Sequence, residues 1–169
     1  MSPDASPIHL LITGGTLDKD YEATTGELVF NSSHLPEILQ QANVTLAIES
    51  DTLMLKDSLE MTDKDRESIL NACLRSSQRR LVITHGTDTM TQTADLLKNH
   101  PDLSEKTIIL TGAMRPFKLG MTDASFNLGS ALMAVQLAPP GVYLTMNGQL
   151  FKSGRVVKNR DLGIFQTDH

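Results

Sequence analysis

Three times along this chain an apolar run stops at a short turn of glycine and hydroxyl residues. Ile8-His9-Leu10-Leu11-Ile12 runs into Thr13-Gly14-Gly15-Thr16. Leu81-Val82-Ile83 runs into Thr84-His85-Gly86-Thr87-Asp88, and Thr107-Ile108-Ile109-Leu110 into Thr111-Gly112-Ala113-Met114-Arg115-Pro116. A threonine hydroxyl attacks a carbonyl carbon once a base removes its proton. An aspartate at such a turn can hold a cation, and freed backbone N–H groups can stabilise an oxyanion, typically by a few kcal/mol per donor. Together these groups suit acyl transfer on a small polar ligand. The second turn opens a helix, so Thr87 or Asp88 is also a candidate N-cap. A phosphate loop is excluded, because Leu17-Asp18 stands where its Lys-Ser/Thr would be, and the third glycine of a dinucleotide fingerprint is absent.

Short apolar runs ending in such turns read as buried parallel strands, with ligands gathering beyond their carboxyl ends. Residues 18–31 are polar and read as a mobile hairpin or lid carrying Tyr21. A short helix follows at 35–42, capped by Ser33 or His34 and with Pro36 in its first turn. Val44-Thr45-Leu46-Ala47-Ile48 alternates as a second strand, and Leu53-Met54-Leu55 leads into the polar turn Asp57-Ser58-Leu59-Glu60. Thr62 to Asp65 starts a helix like a capping box, running to about Ser76. Residues 123–137 read as a long helix that buries Phe126, Leu128, Ala131, Leu132 and Val135. Val142-Tyr143-Leu144-Thr145-Met146 is a fifth strand, followed by the tight turn Asn147-Gly148 and extended pieces at 149–151 and 155–157. Strands alternating with helices predict one α/β domain over 1–169, with a doubly wound, flavodoxin-like, mostly parallel sheet and helices on both faces.

The net charge of −5, with no basic run, argues against nucleic acid or an anionic membrane as partner. No apolar segment reaches membrane-helix length and the amino terminus lacks signal-peptide features, so a cytoplasmic location is expected. The single cysteine, Cys73, lies on an apolar helix face and reads as a core thiol.

Ile12-Thr13-Gly14-Gly15-Thr16, Ile83-Thr84-His85-Gly86-Thr87-Asp88-Thr89 and Gly112-Ala113-Met114-Arg115-Pro116, in this order and followed by Phe126-Asn127-Leu128, resemble the bacterial-type L-asparaginases. The resemblance spans the chain but only that family's amino-terminal domain. Asp18-Lys19-Asp20-Tyr21 and Lys158-Asn159-Arg160 are similar to the short, single-domain members, which lack the carboxy-terminal domain that sends an acidic residue into a neighbouring site. The resemblance implies Thr16 as nucleophile, Tyr21 beside it on the lid, and Thr87, Asp88 and Lys158 as a coupled group. It also implies Gly15, Ser58, Thr87, Asp88 and Ala113 as substrate-binding, with Ser58 on the α-carboxylate. Tyrosine, with an unperturbed pKa near 10, is a weak base that a cation such as Lys158 would improve. Lys152, Arg155 and Arg160 stand close in sequence, so a plain surface lysine remains the competing reading of Lys158.

The expected activity is hydrolysis of L-asparagine to L-aspartate and ammonia through a threonine acyl-enzyme, with weak glutaminase activity and no metal or organic cofactor. The competing reading is a catalytically silent binding or sensor domain for asparagine or aspartate. A homodimer or homotetramer is expected, with Leu150, Phe151, Ile164 and Phe165 as apolar positions near the end of the chain that a partner could cover if they are not core.

Overall fold

The computed structural model describes residues 6–168. Its centre is a six-stranded sheet of β1 (Ile8–Gly14), β4 (Ile48–Lys56), β5 (Arg80–Thr84), β6 (Thr107–Thr111), β7 (Gly141–Met146) and β8 (Gln149–Lys152). The spatial order is β4-β1-β5-β6-β7-β8; all neighbours pair in parallel except β7 and β8. Alternate side chains of each buried strand serve different cores, as the twofold period of a strand requires. Leu11, Leu81, Ile83, Ile108 and Leu110 pack with α2 (Asp63–Arg75) and α3 (Met90–Lys98) through Ile69, Cys73, Ala94 and Leu97. Leu10, Ile12, Val82 and Ile109 pack with α1 (Leu35–Gln41) and α4 (Ala124–Leu137) through Leu35, Ile38, Leu128 and Ala131. This is the expected mostly parallel α/β fold. Burial pushes the Cys73 thiol up to about 12, which suits a core thiol and not a nucleophile.

Two hairpins stand outside the sheet. One is β2 (Lys19–Glu22) with β3 (Glu27–Phe30), in the expected lid region; the other is β9 (Val156–Asn159) with β10 (Ile164–Thr167). The capping box of α2 forms as expected: Thr62 Oγ1 accepts from Asp65 N–H, and the Asp65 carboxylate accepts from Thr62 N–H.

Four expectations are corrected. The second strand to form in the sheet is not at 44–48 but at Ile48–Lys56, where Ile48 pairs with Ile8. Val44 instead closes α1, its N–H donating to Leu39 O. As an edge strand, β4 exposes Glu49-Ser50-Asp51-Thr52, which hid it from an apolar pattern. Phe126 is 62% exposed, and Asn127 takes the inward place at 1%. Neither Thr87 nor Asp88 caps α3; Thr89 occupies that position and makes no side-chain cap bond. Phe151 and Phe165 are core, so they are removed from any surface for association. Among the described residues no helix is long and apolar enough to cross a membrane.

Candidate active site

The three turns, with the Ser58 turn, converge at the carboxyl end of the parallel strands, and glycine is what allows their backbones to meet. A Cβ on Gly15 (φ +79°) would lie 2.5 Å from Gly86 N. One on Gly86 would lie 2.6 Å from Ser58 Cβ, and one on Gly112 would collide with His85 O. Hydrogen bonds lock the arrangement: Gly15 N–H donates to Lys56 O at 2.8 Å and His85 N–H to Thr111 O at 2.9 Å. The Thr13 hydroxyl donates to Thr84 O at 2.7 Å, and the Thr111 hydroxyl to Thr145 O at 2.8 Å.

Thr16 follows the first turn at the start of a short 3-10 segment (Thr16–Asp18) and is half-buried. Its hydroxyl makes no hydrogen bond among the described residues. Beyond it the lid strand is pinned through three successive side chains. Asp18, fully buried, accepts from His34 N–H at 2.8 Å and from the Ser33 hydroxyl at 3.1 Å. Burial raises its pKa, and those hydrogen bonds partly offset the rise. Lys19 Nζ lies 2.5 Å from Asp57 Oδ2, and Asp20 Oδ1 lies 2.9 Å from His34 Nε2. Burial opposes the charge on Asp57, yet the hydrogen bonds from Lys19 and Leu59 N–H and the charges of Lys19 and Lys158 hold its carboxyl below the usual range. Tyr21 is the first lid residue that is not anchored. It is 57% exposed and bonded to none of Thr16, Thr87 or Lys158, so the lid is displayed with its phenol outward.

Thr87, Asp88 and Lys158 do come together. Lys158 Nζ donates to Thr87 Oγ1 at 2.7 Å and to Asp88 Oδ1 at 2.8 Å, in a partly buried cluster. Arg160 Nη2 lies 3.6 Å from the same Asp88 oxygen on a largely exposed side chain. Lys158 arrives because its hairpin is docked: Val156 and Phe165 enter the core, and Phe165 N–H donates to Asn147 Oδ1 at 2.9 Å. Of the competing cations, Lys152 lies on β8 and lines a separate cavity with Leu97, His100 and Gly141.

Ser58 is 1% exposed and its Oγ accepts from Thr89 N–H at 3.2 Å. Ala113 is 1% exposed and belongs to the core cluster that also holds Ile109 and Leu128. The third turn has a brace that the sequence reading missed. The Asp123 carboxylate accepts from Met114 and Arg115 N–H, and the buried Asn127 amide donates to Gly112 O at 2.8 Å and Asp123 Oδ2 at 3.0 Å. An uncommitted Asn one residue beyond an expected core Phe was the available signal.

His85 braces the second turn from inside. Its Nδ1 lies 2.7 Å from Gly86 O and must be the protonated nitrogen; Nε2, 2.7 Å from Thr93 Oγ1, is left as acceptor. Burial lowers its pKa from 6.5 to about 4, with the Arg66 charge adding to the effect and the Gly86 bond opposing it. The folded state therefore binds fewer protons than the unfolded chain between those values. Stability from this site is fully present above about pH 6.5 and is lost as pH falls towards 4. Urea unfolding is expected to lose about 2 kcal/mol from this group between pH 7 and pH 5. In His85→Gln that part of the slope disappears; an unchanged slope would contradict a neutral buried imidazole.

The geometry gathers clustered hydroxyls, a lysine–aspartate pair and crowded backbone at the carboxyl edge of the sheet of an α/β fold. The family pattern described as "Asparaginase, N-terminal" matches residues 7–165, and the chain belongs to that family. It is 35% identical over 159 residues to a component of the glutamyl-tRNA(Gln) amidotransferase of Methanococcus vannielii, covering 88% of this chain and 36% of that protein. It is 28% identical over 167 residues to a glutaminase-asparaginase of Acinetobacter glutaminasificans, covering 89% and 49%. The solved thermostable L-asparaginase from Thermococcus kodakarensis superposes with a TM-score of 0.84 at 29% identity, over 96% of this chain and 51% of that one. The chain thus spans between a third and about half of the length of these relatives.

Proposed function

We propose that the protein is an amidohydrolase that converts L-asparagine to L-aspartate and ammonia through a threonine acyl-enzyme. The observation that carries this is the Thr87–Lys158–Asp88 group beside a turn that leaves the Thr16 hydroxyl unbonded. The substrate's side-chain carboxamide lies between the first and second turns. Thr16 Oγ forms a bond to the amide carbon while its hydroxyl proton passes to the coupled Thr87–Lys158–Asp88 group. Asp88 holds Lys158 in place and keeps its second oxygen for the substrate's α-ammonium. Backbone N–H groups of the turns hold the oxyanion, the C–N bond breaks, and ammonia leaves with the returned proton. Water then hydrolyses the Thr16 ester and regenerates the hydroxyl. Tyr21 assists once the lid brings its phenol inward over Thr16. Gly15 supplies close backbone approach, and the Ser58 turn takes the α-carboxylate.

The test is partition to a second nucleophile. With hydroxylamine present, purified protein and L-asparagine are expected to yield aspartyl hydroxamate at the expense of aspartate. Turnover without hydroxamate would remove the acyl-enzyme. The similarity to the amidotransferase component favours one further reading, an amidase that supplies ammonia to a partner protein. That reading predicts little free ammonia from either asparagine or glutamine unless the partner is present.

The same reading makes each site self-contained, because Thr16, Tyr21, Thr87, Asp88 and Lys158 lie in one chain. The protein is proposed to form a homodimer or homotetramer that lends no principal catalytic group across its interface. Mixing Thr16→Ala with Asp88→Ala protomers is expected to restore no activity. Substantial recovery on mixing would show a shared site.

A further inference from the structure

Arg66 sits on α2 among Asp63, Lys64 and Glu67, and such an arginine reads in sequence as a solvated one. It is only 8% exposed. Nη1 donates to Met61 O at 3.1 Å, and Nη2 donates to Thr89 Oγ1 at 2.9 Å. Thr89 passes the contact on twice: its hydroxyl donates to Ser58 O at 2.9 Å, and its N–H donates to Ser58 Oγ at 3.2 Å. With that lone pair engaged, the Ser58 hydroxyl proton is left to point at another acceptor.

The guanidinium is also short of a counter-charge. Its ion-pair partner among the described residues is Asp63, 3.9 Å away on a fully exposed side chain, and Nε is buried without a hydrogen-bond partner. A buried cation left this open carries an energetic cost unless an anion is brought near it.

Resting on the amidohydrolase reading, we infer that Arg66 is a positioning residue that makes the Asp57-Ser58-Leu59 turn a reader of the substrate's α-carboxylate. It acts by holding Ser58 through Thr89 and by placing an uncompensated positive charge behind that turn. The site therefore selects amino acids with a free α-carboxylate over the corresponding α-amides.

The test compares L-asparagine with L-asparaginamide, which lacks the α-carboxylate, for the wild type, Arg66→Met, Arg66→Lys and Thr89→Val. Arg66→Met is expected to raise KM for L-asparagine about tenfold, the worth of one charge-assisted contact, with kcat within about twofold. Its parameters for L-asparaginamide stay as in the wild type, so discrimination collapses, and Arg66→Lys recovers part of it. A purely structural role would weaken both compounds equally; that result, or no change with either, overturns the inference. If circular dichroism shows Arg66→Met unfolded, Thr89→Val carries the test, since it keeps the charge and cuts its link to Ser58. Calorimetric binding of L-aspartate against its α-amide keeps the two readings apart. Absent turnover with a binding preference that Arg66→Met removes defeats the amidohydrolase reading alone, and a preference that survives Arg66→Met defeats this inference.

Discussion

Replacing Lys158 with methionine is expected to lower kcat for L-asparagine by about 100-fold or more while moving KM little. Methionine keeps most of the stem's length and packing but donates nothing, so Thr87 Oγ1 and Asp88 Oδ1 lose the contacts at 2.7 and 2.8 Å. General acid–base groups are typically worth ~10²–10⁴ in rate, which sets the expected scale. A substrate held by the Ser58 turn and the free Asp88 oxygen keeps most of its binding energy, so the loss falls on kcat. The leftover Asp88 carboxylate is not stranded, because Arg160 lies 3.6 Å from it and the site is partly solvated. Steady-state ammonia release checks this, and near-normal turnover would shift the proton-handling role to another group.

Thr16→Ala is expected to abolish turnover, on the order of 10⁴-fold or more, with folding intact. The hydroxyl makes no hydrogen bond among the described residues, so its removal leaves no buried partner unsatisfied. The fold at this point is carried instead by Gly14 and Gly15, by Leu17 in the core and by Asp18 on His34 and Ser33. Unfolding midpoints in urea should therefore match the wild type while ammonia release vanishes. Comparison with Thr87→Ala separates the two threonines: hydroxamate formation that is slowed but retained in Thr87→Ala and absent from Thr16→Ala assigns the attack to Thr16. Retained turnover in Thr16→Ala removes it as nucleophile.

The three turns were readable because each is local: an apolar strand, then glycine where two backbones must nearly touch. Buried strands such as β5 and β6 carry uninterrupted apolar residues, so they declare themselves. The edge strand β4 does not, because half of it faces water, and residues 44–47 are the loop between α1 and β4, with Val44 bonded back to Leu39. Phe126 was misplaced for a related reason. Helical period alone puts a phenylalanine inward, but Asn127 is needed inside to hold Gly112 and Asp123. Lys158 came only from family resemblance, since no local pattern shows that a hairpin will dock by Phe165 and carry a lysine across 70 residues of sequence to Asp88. The burial of Arg66 and the anchoring contacts of Asp18, Lys19 and Asp20 were hidden for the same reason: charged residues read as solvated unless tertiary contacts bury them. Tyr21 was readable as a lid residue, while its outward position belongs to the conformation and not to the sequence.

The most direct measurement is the product balance of the purified protein with L-asparagine alone. Ammonia and L-aspartate are expected in equal amounts, continuously over many turnovers, without added metal, cofactor or partner, and with a lower rate on L-glutamine. Tight binding of L-asparagine with no ammonia released would contradict the account and leave a binding domain in its place.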